Sequence, residues 1–262
     1  MDKYHKQMLD STIAMYDEQE KDPRFKDSDR YWKDLPGLPH FLIKKFVYSP
    51  DHINVSMMWP KWFCEDDKLE GKSLLEIGTG TGVVAIYCAL HGKPKKVVAT
   101  DISPMAVKNC QMNAGQYYLS HCCAPDYFDV RKGSLFEPIG KDEKFDYIFW
   151  AFPWNCPDRD IEEVLKERGR EGDITPEKIN QLRAGLDPGY KFLRQFIREA
   201  KNYLTPQGKV ILGAGEFSRH DIIKEEAERA GYQIEIPKRE RFSVVKSRDW
   251  TLECMVYELK PL

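Results

Sequence analysis

The chain has no C-x-x-C pair, although it holds seven cysteines: Cys64, Cys88, Cys110, Cys122, Cys123, Cys156 and Cys254. An odd number without metal-ligand spacing argues against a disulfide framework and against a zinc site, and it fits a reducing compartment. No apolar run approaches the roughly 18 residues of a membrane span. The first thirty residues are charged throughout and contain no apolar signal region. The expectation is a soluble cytoplasmic protein without a membrane partner and without a metal. Charge of one sign is also lacking. Forty Lys and Arg face 42 Asp and Glu, for a formal net charge of −2. A dedicated nucleic-acid binder shows a basic excess, so no nucleic-acid partner is expected, although a neutral total can hide a local patch. There is no repeat, no low-complexity segment, and no Gly-Lys-Ser/Thr to make a phosphate-binding P-loop.

What is present is a glycine-rich loop in a telling place. Leu74-Leu75-Glu76-Ile77 reads as a strand, Gly78-Thr79-Gly80-Thr81-Gly82 follows at once, and Val83 to Leu90 reads as a helix. Strand, tight loop and helix form the opening unit of a nucleotide-binding α/β sheet, in which glycines let the backbone approach a ligand closely. Glu76 gives the unit its character: a carboxylate two residues before the first glycine suits a cationic amine and opposes a pyrophosphate. A nicotinamide site would want G-x-G-x-x-G, and Val83 stands where its third glycine belongs. Lys95 to Thr100 reads as the next strand. Asp101 ends it, about twenty residues past the loop, where a ribose-binding carboxylate belongs.

In this order and spacing, Glu76, the loop and Asp101 resemble the class I S-adenosylmethionine methyltransferases. The resemblance continues through Asp101-Ile102-Ser103, Gly133-Ser134-Leu135-Phe136, Lys144 to Trp150, Gly185-Leu186-Asp187 and Leu204 to Leu212. It covers about residues 72 to 235 and is similar to the release-factor glutamine methyltransferase branch. It implies S-adenosylmethionine as cofactor. Glu76 would hold the methionine amine, and Gly78 and Gly80 would permit close approach. Asp101 would take the ribose hydroxyls, and Ser134 and Leu135 would flank the adenine. Thr79, Ile102 and Ala151 complete the expected cofactor set.

Alternating strands and helices predict an α/β fold: a Rossmann-like, seven-stranded sheet with helices on both faces. Expected strands are 72–77, 95–100, 126–131, 145–150, 208–213, 233–236 and 252–259, the last antiparallel by resemblance. Expected helices are 81–91, 104–117, 188–203 and 218–230. Residues 1–70 read as an N-terminal cap, with a helix over 2–20, a polar stretch over 21–40, a short strand near 41–48 and a short helix from Trp59. Residues 71–262 read as the cofactor-binding domain. Within it, 155–187 is a charged substrate-side insertion with a helix over 160–168, and the Lys/Arg-rich stretch 237–250 reads as a solvated hairpin.

The resembled branch ends its fourth strand in Asn-Pro-Pro-Tyr, where the Asn side chain and a proline carbonyl accept hydrogen bonds from a planar nitrogen. Here the aligned residues are Ala151, Phe152, Pro153 and Trp154. Ala151 has no side-chain acceptor, and a site stripped of its hydrogen-bonding partner loses discrimination. Pro153, Trp154 and Asn155 are therefore the candidate catalytic residues. Trp150, Phe152 and Trp154 would share a face if the strand ran that far. Candidate bases by location are His52, Asp158 and Glu216. The leading expectation is methyl transfer to a small-molecule acceptor. The alternatives are a protein or peptide side-chain methyltransferase, glutamine-type or other, and a non-catalytic cofactor-binding partner protein. The acceptor atom and the oligomeric state stay open.

Overall fold

The computed structural model describes residues 3–50, 57–117, 127–243 and 251–262. Its centre is a seven-stranded sheet. The strands are β3 (Ser73–Ile77), β4 (Lys96–Asp101), β5 (Phe128–Lys132), β6 (Phe145–Trp150), β7 (Leu204–Gly215), β8 (Tyr232–Ser243) and β9 (Thr251–Pro261), in the spatial order β5-β4-β3-β6-β7-β9-β8. The first five pair in parallel. β9 inserts antiparallel between β7 and β8. The order reverses between β3 and β6, and the C-terminal ends of the strands there frame the crevice in which open α/β sheets bind ligands.

Both faces of the sheet are apolar and covered, as a parallel sheet requires. Alternation along β3 and β6 sends Leu74 and Phe149 to one core, and Leu75, Ile77, Ile148 and Trp150 to the other. The first face carries α2 (Met58–Cys64), α3 (Val83–His91) and α4 (Pro104–Gln116). The second carries α7 (Lys191–Ala200) and α8 (His220–Arg229). At the opposite end of the strands, Asp146 accepts from the amide and hydroxyl of Ser73, both at 2.9 Å, and from Thr205 Oγ1 at 3.1 Å, which ties β3, β6 and β7 together.

The N-terminal elements pack onto this core. Helix α1 (Lys3–Glu20) precedes an antiparallel hairpin, β1 (Arg30–Leu35) and β2 (Leu38–Lys44). The stretch read as polar and irregular therefore contains a strand: Tyr31 alternates inward, and Gly37 at φ +77° turns the chain. Two fully buried amides dock β2 on α4. Leu42 N–H donates to Asn113 Oδ1 (2.8 Å), Lys44 N–H donates to Asn109 Oδ1 (2.9 Å), and both Nδ2 groups donate to Leu42 O. Asn113 Nδ2 also donates to Thr81 O at 2.9 Å, so the hairpin braces the glycine loop.

The insertion holds two helices, α5 (Ile161–Glu167) and α6 (Pro176–Arg183). Only the first was legible as a helix. The second starts cleanly, with Thr175 Oγ1 accepting from Lys178 N–H and Pro176 in the first turn. Both pack against α1 through Leu9, Ile13, Tyr16, Val164, Leu165 and Leu182. Ion pairs clamp the same interface. Asp17 receives Arg170 at 2.7 Å and Lys178 at 2.9 Å, and Lys178 also reaches Glu20. β8 runs to Ser243, so the basic stretch is strand up to that point, and residues 244–250 lie outside the described residues. No helix among the described residues is long and apolar enough to cross a membrane.

Candidate active site

The loop after β3 is fixed from both ends. Thr79 N–H donates to Thr100 O on β4 (2.9 Å), and Gly82 N–H donates to Thr79 O (2.8 Å). Gly78, Gly80 and Gly82 all have positive φ, which L side chains adopt at a cost. Gly82, at φ +88°, lies so close to α4 that a Cβ there would stand 2.6 Å from Cys110 Sγ. At Gly80 a Cβ would meet nothing within 4 Å, because the crest of the loop faces an open cavity of about 260 Å³.

Two acids flank this crest. Glu76 is 3% exposed; its Oε2 accepts from Thr79 Oγ1 (2.7 Å) and Ala85 N–H (3.0 Å). Burial pushes its carboxyl up to about 8, the nearby Asp101 charge adds to that, and the two hydrogen bonds oppose it. Among the described residues no protein group donates to Oε1, and Glu76 lines the cavity. A buried carboxylate left half-satisfied is a receptor for a cation. Asp101 accepts from Gly80 N–H (2.9 Å) and Ser103 N–H (2.8 Å), one on each oxygen, and each oxygen keeps a lone pair for a further donor. Burial raises its carboxyl too. Ile102, 37% exposed, and Ser134 and Leu135 line the same cavity beyond Asp101.

The other wall is the end of β6. The strand stops at Trp150, so the shared face expected for residues 150, 152 and 154 holds only in part. Trp150 and Phe152 enter one core, with Phe152 edge-on to Tyr190. Trp154 crosses to β7, where Nε1 donates to Gly213 O at 2.9 Å and the ring lies against Gly215. A Cβ at Gly215 would stand 2.5 Å from that ring, and one at Gly213 would stand 2.6 Å from the Trp59 ring. These two glycines make slots for two indoles, a feature the sequence reading did not use, although glycines inside a strand signal a close approach. Trp154 is thus a fixed wall with its donor spent.

Asn155 is a corner piece rather than a free amide. Its backbone bridges to Leu186, and its Nδ2 donates to Thr12 Oγ1 (2.8 Å) and Gly185 O (3.3 Å). Only Oδ1 is left without a protein donor among the described residues. Ala151 and Pro153 line the cavity and bring no side-chain hydrogen bond. Of the candidate bases, Glu216 accepts from Glu253 N–H (3.1 Å), and neither it nor Asp158 lines the cavity. His52 lies outside the described residues.

A roof covers the chamber, built by α1 (Thr12, Met15, Tyr16) and by the end of α6 with the turn after it (Gln181, Arg183, Ala184 and Gly185). Tyr16 is fully buried and Gln181 is 1% exposed, yet the Tyr16 hydroxyl and both amide atoms of Gln181 have no hydrogen-bond partner. Such atoms cost about 1–3 kcal/mol each. Sequence reasoning missed both residues because the roof forms only when the two ends of the chain's N-terminal half and insertion meet.

The nine residues of the expected cofactor set and the three of the expected catalytic corner line this one cavity, whereas the candidate bases Asp158 and Glu216 do not. Comparison with known proteins now adds to the geometry. A family described as "Methyltransferase domain" matches residues 74–170. That part of the chain is similar to a methyltransferase domain. A bifunctional methyltransferase of Rickettsia felis is 32% identical over 166 residues, which is 63% of this chain and 29% of that protein. A release factor glutamine methyltransferase of Geobacter sulfurreducens is 34% identical over 149 residues, covering 55% of this chain and 46% of that protein. The chain therefore matches less than half the length of either relative. A transferase structure from Pyrococcus horikoshii, described as putative, has a TM-score of 0.55 at 13% identity, covering 88% of this chain and 71% of that one, which supports the fold alone. The family of the methyltransferase domain implies S-adenosylmethionine as methyl donor.

Proposed function

We propose that this chain transfers a methyl group from S-adenosylmethionine to a side-chain nitrogen of a protein, of the glutamine-amide type. The observation that carries the reading is one continuous cavity with two chemically distinct ends. One end has a half-satisfied buried carboxylate, a glycine crest and a second acid. The other has aromatic walls and neutral amides. The small-molecule acceptor expected from the sequence gives way, because the Geobacter relative is named for glutamine in a release factor.

The residues present fit the methyl donor. Glu76 Oε1 would take the methionine ammonium, and the crest at Gly78 to Gly80 leaves room for its chain. Asp101 would accept from the ribose hydroxyls, while Ile102, Ser134, Leu135 and Ala151 would enclose the base. When bound, S-adenosylmethionine would supply an electrophilic methyl carbon, so that an N–C bond would form from the acceptor nitrogen's lone pair while the C–S bond breaks with its electron pair kept by sulfur and the nitrogen's proton lost to water. The protein's part is positioning, which can supply much of such a displacement's acceleration. Pro153 and Trp154 would form the wall behind the nitrogen. Glu76 and Asp101 are committed at the other end, so no further carboxylate or imidazole of the described lining serves as a base.

The test is transfer from methyl-labelled S-adenosylmethionine into an extract of the source organism, separated by size. Label in a protein band, recovered on glutamine by mass spectrometry of peptides, is the expected result. Label confined to small molecules would restore the earlier expectation. Cofactor binding without label anywhere would favour a non-catalytic partner protein.

A further inference from the structure

The roof over the cavity has a core of its own. Helices α1, α5 and α6 share a small apolar cluster, built around Ile13, Val164, Leu165 and Leu182, that is separate from the two cores flanking the sheet. Ion pairs close the same bundle. Asp10 meets Arg168, Asp17 meets Arg170 (2.7 Å) and Lys178 (2.9 Å), and Glu20 meets Lys178. Three helices bound to each other in this way move together or not at all.

The contacts of this bundle with the sheet body are of another kind. Asn155 Nδ2 donates to Thr12 Oγ1 (2.8 Å), Gln19 Nε2 donates to Val47 O (2.5 Å), and the Tyr16 ring meets Tyr48 edge-on at 6.4 Å. Met8, on α1, reaches the core on the first face of the sheet. The chain enters the bundle after β6 and leaves it through Gly185 to Gly189. The bridge between Asn155 and Leu186 pins the two crossings side by side. Gly189 has φ +60°, and a Cβ there would meet nothing within 4 Å. A few loop positions of this kind suffice to absorb the backbone rotation of a hinge.

The covered arrangement is also costly and tight. Three of the five buried side-chain polar atoms without a hydrogen-bond partner among the described residues are Tyr16 Oη, Gln181 Nε2 and Gln181 Oε1. Both residues lie under the roof and line the cavity, yet these atoms are out of reach of water. Native proteins satisfy nearly all such atoms, and lifting the roof is what returns water to them. With the roof down the cavity measures about 260 Å³. A site for one drug-sized ligand has about 300–1,000 Å³, and methyl transfer needs donor and acceptor together.

We infer that α1, α5 and α6 form a lid, which lifts as one unit about the Asn155–Leu186 bridge to admit ligands and closes over them. What passes under the lid rests on the methyl-transfer reading; the motion itself does not.

The experiment uses the full chain. Amide hydrogen exchange of the ligand-free protein is followed by mass spectrometry, and association and dissociation of S-adenosylhomocysteine by stopped-flow fluorescence of the cavity tryptophans. The three helices should exchange together, at least a hundredfold faster than β3 and β6, as a unit opening below the global free energy. Tyr16→Phe and Gln181→Leu each remove an atom that favours lifting. Each should slow exchange of all three helices about tenfold, slow S-adenosylhomocysteine association and dissociation by a like factor, and leave its Kd within threefold. Thr12→Val removes a joint between lid and sheet body and should speed all three readings. A merely structural role would move Tm and leave both ligand rates where they were, which overturns the lid. So does exchange of α1 apart from α5 and α6, or of all three in step with the sheet. Absence of S-adenosylhomocysteine binding, with the helices still exchanging as one fast unit that the three variants shift as stated, would sink the methyl-transfer reading and uphold the lid.

Discussion

Lowering the pH should weaken cofactor binding through Glu76 in a way that Glu76→Gln abolishes. The carboxyl sits at about 8 in the ligand-free protein because it is buried beside the Asp101 charge. An ammonium placed at Oε1 favours the anion and draws that value down, so binding expels a proton wherever the free protein holds one. The ionised fraction is about one in eleven at pH 7 and about one in a hundred at pH 6, from the ordinary titration relation. Affinity for S-adenosylhomocysteine should therefore fall about ninefold between pH 7 and pH 6, or about 1.3 kcal/mol. The ligand's own amine stays protonated over that interval. The sign for stability is opposite in the ligand-free protein. The folded state binds the proton more tightly than the unfolded chain between about 4.5 and 8, so this group's contribution is lost as pH rises through that window. The ligand-induced rise in Tm should thus be larger at pH 7 than at pH 6. Calorimetry in two buffers of different ionisation enthalpy counts the released proton directly. Asp101 and Cys110 also face Glu76, and burial raises both; the Gln variant separates their share. Affinity constant within twofold over that pH unit, or an unchanged slope in Glu76→Gln, would refute the reasoning.

Gly82→Ala combines a positive φ with a Cβ 2.6 Å from Cys110 Sγ; it should cost about 3 kcal/mol and lower Tm by roughly 6–12 °C, read by calorimetric melting. Asp146→Asn should lose about 1–3 kcal/mol in urea unfolding at pH 7. Burial alone would raise the Asp146 carboxyl, but the Ser73 amide, Lys95, and the Ser73 and Thr205 hydroxyls hold it at about 2. That stabilisation is present above the unfolded value near 3.8 and is lost as pH falls from there through 2, so the gap between wild type and variant should close in acid. A gap that persists at pH 2 would mean the effect is packing.

The sheet and the glycine-loop end of the cavity were legible because local sequence dictates them. Glu76 and the glycines lie within a few residues of each other and Asp101 ends the very next strand, so Glu76, Gly80 and Asp101 could be placed on one crevice from their order alone. Of the hairpin over 30–44, a short strand near 41–48 was expected and the strand at 30–35 was not, because its apolar pattern is weak; Asn109 and Asn113, 65 or more residues away, supply the hydrogen bonds that hold β2 in place. Helix α6 was missed for a similar reason. Its apolar residues are few, and its stability comes from α1 through Lys178 and Asp17.

The acceptor half was illegible for a stronger reason than distance. At the end of β6 the sequence shows only a loss, Ala151 in place of an amide, and a local reading sees a degraded motif. Trp154 spends its N–H on Gly213, and Asn155 spends its Nδ2 on Thr12, so the strand end serves as wall and hinge post. The unspent polar atoms are one layer up, at Gln181 and Tyr16. Neither residue stands out in sequence, since a lone Gln on a charged helix reads as solvated surface. Burial against α1 is what sets that Gln apart from a solvated one. The charged insertion and the N-terminal helix are therefore better understood as one packed unit lining the cavity than as a cap and a loop.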